Sequence, residues 1–234
     1  MRTLRVIFIY CNAGRSQFLY KSLADMNYMI STRRNVNAIV LAGGSSERMG
    51  YPKALLDFDG LRLIDRIINV LEPIFHKVLV VGGDPEIISD RIVIADDNIL
   101  NGPLVGLQRG MLVSDASWNF VIGCDMPFLN SMVIKRMAGR LQDTEVVLAR
   151  IEGHLQPLHG FYSRGCLPNI HTLLNEGITS LRALISLSDV SILDSRDFID
   201  IDPELRSFQD IDTPLEYHEA LNLAKRVYND SVCE

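Results

Sequence analysis

Several hallmarks of common protein classes are missing from this sequence. No apolar run approaches the roughly 18 residues that a membrane-spanning helix needs, and residues 1–10 lack the small-residue cleavage pattern of a secretory signal. The four cysteines are scattered without a CxxC pair, so neither a disulfide framework nor a zinc site is indicated, and a reducing cytoplasm is the expected location. No basic run offsets the formal net charge of −6, which argues against a nucleic-acid partner.

The composition is that of a soluble globular protein. The chain has 234 residues, of which 47% are hydrophobic and 22% charged, enough for one large domain or for one domain with an appendage. From residue 36 onward strand patterns alternate with helical ones, which predicts an α/β domain with a mainly parallel sheet over 36–228 and a short tail at 229–234. The predicted strands cover 38–42, 77–83, 91–95, 118–124, 145–150 and 198–201, and the predicted helices cover 61–71, 86–90, 104–113, 177–187 and 215–228.

The first strand of this domain runs into a glycine-rich loop. The apolar run 38–42 stops at the glycine pair 43–44, where missing Cβ atoms let a ligand approach the backbone. Ser45 continues a loop whose amides can converge on phosphate oxygens, and Arg48 and Lys53 add two cations. The loop has neither the Gly-Lys-Ser/Thr of a P-loop nor the G-x-G-x-x-G of a dinucleotide site. It nevertheless predicts triphosphate binding, the alternative being a glycine-rich turn with two incidental cations.

A later strand, residues 118–124, ends in Asp125. Ligands of parallel α/β sheets lie beyond the carboxyl ends of the strands, where the glycine loop also lies. A carboxylate there can hold Mg²⁺, which prefers oxygen ligands and bridges phosphates. The alternative role for Asp125 is to cap the following helix. Cys124 is expected to be a small buried residue.

The loop sequence LAGGSSERMGYPKALL, residues 41–56, closely resembles the signature of nucleotidyltransferases that activate a phosphorylated acceptor. Its glycine pair is similar to that of the molybdenum cofactor guanylyltransferases, and the resemblance spans about residues 36–228. It implies a three-layer αβα, Rossmann-like nucleotidyltransferase fold with a mainly parallel mixed sheet. The implied reaction transfers GMP from GTP to the terminal phosphate of the molybdopterin-bound cofactor and releases pyrophosphate, with Mg²⁺ as cofactor. Molybdenum-cofactor insertion proteins are expected partners, and a membrane is not.

Further motifs carry the same resemblance. The Gly-Pro-Leu-x-Gly segment at Gly102 is typical of guanylyltransferases, in which an upstream carboxylate meets guanine. Asp96 is the preferred candidate because a carboxylate can accept from both N1–H and the exocyclic amine, with Asp97 second and a solvated loop acid as the alternative. The Cys-Asp-Met-Pro motif matches the family's metal-binding element at Asp125.

Three residues are candidates for the acceptor site: His159, Arg182 and Asp210. His159 lies in a Pro-Leu-His segment that the family places beside the acceptor, although it could equally serve in packing. Arg182 could pair with the acceptor phosphate or be an ordinary exposed arginine. Asp210 and Asp212 occupy a closing motif where the family often has asparagines. Aspartates there are more typical of cytidylyltransferases, and they make Asp212 a candidate second metal ligand.

These patterns together predict a site. Catalysis would depend on positioning and charge neutralisation by Lys53, Arg48 and Asp125, since an acceptor phosphate is already a nucleophile. The predicted nucleotide contacts are Leu41, Ala42, Gly43, Gly44, Ser45, Arg48, Lys53, Asp96, Gly102 and Asp125. The alternatives are a cytidylyltransferase on the same scaffold, with molybdopterin or another phosphate as acceptor, and a non-catalytic nucleotide or cofactor carrier.

Residues 1–35 precede this domain and include a strand–turn–helix pattern around Cys11. The turn resembles the active-site loop of rhodanese-like sulfurtransferases, in which backbone amides surround a reactive cysteine. Because such a domain needs about 100 residues, a remnant or appendage with a polar linker is expected rather than a working thiol site or a fused sulfur carrier.

Overall fold

The computed structural model describes residues 36–43, 51–83, 92–94 and 100–232. All of them lie in one compact unit, residues 33–234. The strands described are β1 (Val36–Leu41), β2 (Asp57–Phe58), β3 (Leu61–Arg62), β4 (Val78–Val81), β5 (Ile92–Ile94), β6 (Trp118–Gly123), β7 (Val146–Ile151), β8 (His154–Ser163) and β9 (Val190–Asp194). The helices described are α1 (Leu63–Leu71), α2 (Pro103–Val113), α3 (Ser131–Ala138), α4 (Leu167–Asn175), α5 (Leu181–Ser186) and α6 (Pro214–Val232).

Seven of these strands form one sheet in the order β5-β4-β1-β6-β8-β7-β9. β8 runs antiparallel to both of its neighbours, and every other pairing is parallel. The predicted mainly parallel mixed sheet is therefore confirmed. Its central strand, β1, is buried along its whole length, as a parallel strand covered on both faces must be.

Helices cover both faces of the sheet. Alternate β1 residues belong to two separate hydrophobic clusters, Ala38 and Val40 on one face and Ile39 and Leu41 on the other. The first cluster includes the apolar sides of α1 and α3, and the second those of α2, α4 and α5. This arrangement confirms the three-layer αβα fold. No helix within the described ranges combines the length and the apolar content needed to cross a lipid bilayer.

Several predicted elements differ from the structure. The helix predicted at 177–187 begins at Leu181, and α6 continues to Val232, through four residues of the predicted tail. The helix predicted at 61–71 begins at Leu63, two residues later than predicted, because Leu61–Arg62 pairs with Asp57–Phe58 in a hairpin. Asp59 and Gly60 form its turn with φ of 57° and 83°, the left-handed geometry that an Asp-Gly pair favours. The strand predicted at 198–201 is a turn closed by bonds from the Ile201 and Asp202 amides to the Phe198 carbonyl. The long strand β8 was not predicted, and the helix predicted at 86–90 lies outside the described residues.

Candidate nucleotide and metal site

A cavity opens at the carboxyl ends of β4, β1 and β6, which are neighbours in the sheet. The Ala42 amide donates to the Val81 carbonyl at 2.8 Å and the Cys124 amide donates to the Leu41 carbonyl at 3.2 Å, so the three chain segments stay together past the ends of the strands. The cavity has a volume of about 550 Å³, within the usual range for small-molecule sites. Its lining includes six of the predicted nucleotide contacts: Leu41, Ala42, Gly43, Lys53, Gly102 and Asp125.

Two glycines bring backbones into contact at the floor of this cavity. A Cβ on Gly82 would lie 2.6 Å from both the Cα and the N of Gly43, and Gly82 has φ +78°. No other residue fits there without moving the first glycine of the loop. The close approach keeps side chains off the backbone where the β1 loop begins.

Lys53 lies beside two carboxylates. Its Nζ is 3.1 Å from Asp125 Oδ2 and 2.5 Å from Asp212 Oδ1. The Lys53 side chain is 16% exposed and that of Asp125 is 21% exposed, so the pair is partly shielded from water and interacts more strongly than a surface ion pair. Lys53 opens a short 3-10 turn, Lys53–Leu55, whose Ala54 is buried in the core.

The backbone fixes both carboxylates. The Ile211 amide donates to the Asp125 carbonyl at 2.9 Å, which joins the closing motif to the end of β6. Glu216 accepts from the amides of Asp212 and Thr213 at 2.8 Å each and so anchors the start of α6. A Cβ on Gly123 would lie 2.5 Å from Asp125 Oδ1, so this glycine leaves the room that the carboxylate occupies. The helix after β6 is capped by Asn130, not by Asp125.

The charges of this cluster shift several pKa values. Burial disfavours the charged form of Lys53, but its bond to Asp212 and the charge of Asp125 outweigh that cost and raise its pKa. Loss of hydration raises the pKa of Asp210, and the charges of Asp125 and Asp212 raise it further. Among these four described side chains, three carboxylates lie near one lysine, so this cluster has more acidic than basic groups. Burial also raises the pKa of Cys124 to about 12, as expected of an inert core thiol.

This cluster suits a divalent cation that arrives with phosphates. Within the described part of the chain, no three His, Cys, Asp or Glu side chains are placed to hold a metal by themselves. Mg²⁺ commonly binds one or two carboxylates and takes its remaining ligands from phosphates and water. Asp125 lines the cavity and Asp212 is joined to it through Lys53, so two carboxylates are available and the residues present fit the ion.

The structure corrects the acceptor role considered for His159. Its ring is fully buried, with ring centroids 5.3 Å from Phe120 and 4.6 Å from Phe208. Neither ring nitrogen makes a well-formed hydrogen bond, although the Ser207 backbone slightly favours protonation. Desolvation lowers the pKa of His159 to about 3, so the imidazole is neutral. His159 therefore packs the core, which was the other role its sequence allowed.

The remaining predicted acceptor residues lie at the surface. Asp210 is exposed beside the carboxylate cluster, two residues before Asp212. Arg182 is exposed near the start of α5, after the Ser180 cap. A Cβ on Gly102 would lie 2.7 Å from the side chain of Thr179, so this end of α5 adjoins the cavity. Arg182 itself does not line the cavity.

Sequence reasoning missed several residues of the cavity. Arg109 and Gly106 on α2 and Leu158 on β8 line it together with Gly82. Gly102, Gly106 and Arg109 recur at helical spacing from the Gly-Pro motif, and that periodicity could have revealed them. Leu158 gave no such signal, because β8 reaches the site only through sheet pairing. Gly44, Ser45, Arg48 and Asp96 lie outside the described residues, as do residues 1–35 with Cys11.

Comparisons with known proteins agree with this architecture. Residues 38–191 match the family described as MobA-like NTP transferase domain. A probable molybdenum cofactor guanylyltransferase of Bacillus cytotoxicus is 32% identical over 203 residues, which cover 82% of this chain and 100% of that protein. The molybdenum cofactor guanylyltransferase of Desulfosudis oleivorans is 32% identical over 189 residues, covering 79% and 94%.

A solved structure shares the fold. The crystal structure of molybdopterin-guanine dinucleotide biosynthesis protein A from Archaeoglobus fulgidus superposes with a TM-score of 0.72 at 20% identity, covering 81% of this chain and 99% of that one. The family match extends over more than half of the chain, from β1 into β9. The chain belongs to the family of MobA-like NTP transferase domains and is a nucleotidyltransferase.

Proposed function

We propose that this protein transfers GMP from GTP to the terminal phosphate of molybdopterin-bound molybdenum cofactor. The observation that carries the proposal is the contact of Lys53 with Asp125 and Asp212, where Lys53 and Asp125 line a nucleotide-sized cavity. In a member of this family, whose relatives are described as molybdenum cofactor guanylyltransferases, that arrangement supports nucleotidyl transfer with GTP.

The chemistry needs little proton transfer. An oxygen of the acceptor phosphate forms a bond to the α-phosphorus of GTP, and the bond from that phosphorus to the β-phosphate oxygen breaks, so pyrophosphate leaves. A phosphate monoester is already anionic at neutral pH, and no strong general base is required. The protein must therefore hold the two phosphates in line and neutralise their charge. We assign the α-phosphate to Lys53, whose side chain lines the cavity beside Asp125.

The glycine loop is assigned to the β- and γ-phosphates. The backbone at Gly43 is open to the cavity, and Gly44, Ser45 and Arg48 follow it in the chain. Amides of such a loop, together with the guanidinium of Arg48, would donate to the oxygens of the leaving pyrophosphate. Asp96 remains the proposed partner of guanine, and Gly102 together with Arg109 bounds the cavity on the α2 side.

Mg²⁺ is the proposed cofactor, with Asp125 as its main protein ligand and Asp212 as a second. When bound, the ion would neutralise charge on the transferred phosphoryl group and on the leaving pyrophosphate. Asp125 presents its carboxylate beside Gly123, and the closing motif places Asp212 across from it. Asp210 and Arg182 are the proposed contacts of the acceptor. We place the reaction in the cytoplasm, with cofactor insertion proteins as recipients of the product.

The test is a transfer assay with purified protein. GTP, CTP, ATP and UTP are each supplied with Mg²⁺, with and without molybdopterin cofactor, and pyrophosphate release is measured together with the dinucleotide product. Release with GTP that depends on the acceptor supports the proposal. A preference for CTP would assign the cytidylyltransferase reaction, and nucleotide binding without release would indicate a carrier.

A further inference from the structure

Lys53 is the shared partner of two carboxylates on separate parts of the fold. Asp125 follows β6 and Asp212 precedes α6, 87 positions apart by their residue numbers, yet both place an oxygen within 3.1 Å of the same Nζ. The ammonium therefore occupies a point between the two carboxylates that the proposed function assigns to a divalent cation.

A metal ion shared by the two carboxylates competes with the lysine for them. Nζ donates to Asp125 Oδ2 and Asp212 Oδ1, and an ion bound to these two oxygens at the distance of about 2.0–2.1 Å that is usual for Mg²⁺ would displace the ammonium. Two cations in one partly shielded cluster would also repel each other. The described residues hold no set of three ligands that could compensate for the loss of the lysine contact.

A bound triphosphate changes this balance. Lys53 lines the same cavity that the nucleotide is proposed to fill, so its ammonium can turn from the carboxylates to a phosphate oxygen without leaving the site. The phosphates also supply oxygen ligands for the coordination positions of the metal that the two carboxylates do not fill. The negative charge of Asp125, Asp210 and Asp212 would then be neutralised by the metal.

We propose that Lys53 occupies the divalent-cation position in the free protein, so that the metal enters together with the triphosphate and not before it. This inference rests on the proposed function for the identity of the ligands, but its evidence is the position of the lysine. Lys53 is on this account a positioning residue as well as a phosphate ligand, because it holds Asp125 and Asp212 together until the metal arrives.

The experiment measures Mn²⁺ binding by electron paramagnetic resonance, with and without a nucleotide that cannot be turned over. Wild-type protein should bind Mn²⁺ weakly alone and at least about ten times more tightly with a non-hydrolysable GTP analogue. Lys53→Met should bind Mn²⁺ at least about tenfold more tightly than wild type without nucleotide, equivalent to about 1.4 kcal/mol. Lys53→Arg keeps the cation and should resemble wild type.

Two further variants complete the experiment, one as a control and one as a second neutral replacement of Lys53. Lys77→Met is the matched control, because it removes another lysine–aspartate pair, the 2.6 Å contact with Asp115, which is far more exposed and does not line the cavity. Its Mn²⁺ affinity should not change. Lys53→Gln is a second neutral variant that can still donate to one carboxylate, and circular dichroism of each variant confirms folding.

The proposal is overturned if wild type binds Mn²⁺ equally tightly with and without the analogue, or if folded neutral variants gain no affinity. Its outcome is separate from that of the proposed function. Tighter Mn²⁺ binding by Lys53→Met in a protein that transfers no nucleotide would support the lysine's role while removing the transferase assignment.

Discussion

Gly82→Ala tests whether the backbone contact beneath the cavity matters for the nucleotide. The new methyl group would lie 2.6 Å from the Cα and N of Gly43, so the start of the glycine loop would have to shift. Forcing an L-residue into the left-handed region at φ +78° costs roughly 1–2 kcal/mol, and overpacking against backbone adds roughly 1–3 kcal/mol. Alanine also lowers the conformational entropy of the unfolded chain, which offsets about 0.4–1 kcal/mol of this loss. The expected loss of unfolding free energy is therefore about 1–5 kcal/mol.

Gly60→Ala is the matched control. Gly60 has nearly the same φ, +83°, but nothing lies within 4 Å of a Cβ built on it. It should lose at most about 1–2 kcal/mol of unfolding free energy from backbone strain and keep its affinity for GTP.

Urea unfolding gives the stabilities and calorimetry gives the GTP affinities of both variants. Gly82→Ala should bind GTP at least about tenfold more weakly, the equivalent of 1.4 kcal/mol. Equal GTP affinity in the two variants would refute the assignment of Gly43 and Gly82 to the nucleotide site.

Four further substitutions test the site and its surroundings. Asp125→Asn should lower the rate of transfer by at least about 10²-fold while GTP still binds, and Asp212→Asn should lower the rate less. A larger loss of steady-state rate in Asp212→Asn would contradict Asp125 as the main metal ligand. Gly123→Ala would put a Cβ 2.5 Å from Asp125 Oδ1 and rotate that carboxylate, so transfer should fall by at least about tenfold with little change in thermal stability. Burial lowers the pKa of His159 to about 3, below its unfolded value of about 6.5, so the unfolded chain binds more protons in that window and stability falls as pH falls from 6.5 towards 3. His159→Leu should remove up to about 1.4 kcal/mol per pH unit of that slope in urea unfolding at pH 5 and 7, and an unchanged slope would contradict the buried neutral imidazole.

The parts of the fold that follow from local pattern were predictable. An apolar run ending in glycines marks a buried strand with an open end, and the carboxyl ends of parallel strands share one edge, so the amino-acid pattern alone places Gly43 and Asp125 together. The helix predicted at 215–228 is likewise confirmed, and it starts at a capping box in which Thr213 and Glu216 exchange reciprocal bonds.

The rest depends on pairings between distant residues. Lys53 and Asp212 are separated by 159 positions, and their contact follows from the Ile211 amide bond to Asp125, which no local pattern encodes. β8 was missed because it is antiparallel within a parallel sheet and contains Pro157 among alternating residues. The histidine it carries is ambiguous by type, and only its burial against aromatic rings decided its role. The Asp59–Gly60 pair is typical of a hairpin turn, but the apolar residues of 61–71 have helical spacing, and this second pattern led to the prediction of a helix from residue 61.

The most direct test of the account is a competition between triphosphates in the presence of molybdopterin cofactor and Mg²⁺. Equal amounts of GTP and CTP are supplied, and the dinucleotide products are separated and quantified together with pyrophosphate. The account predicts guanine dinucleotide as the main product, in equal amount to pyrophosphate, and its loss by at least about 10²-fold in Asp125→Asn. Cytosine dinucleotide as the main product would contradict the guanine assignment, and pyrophosphate release without an acceptor product would contradict the transfer itself.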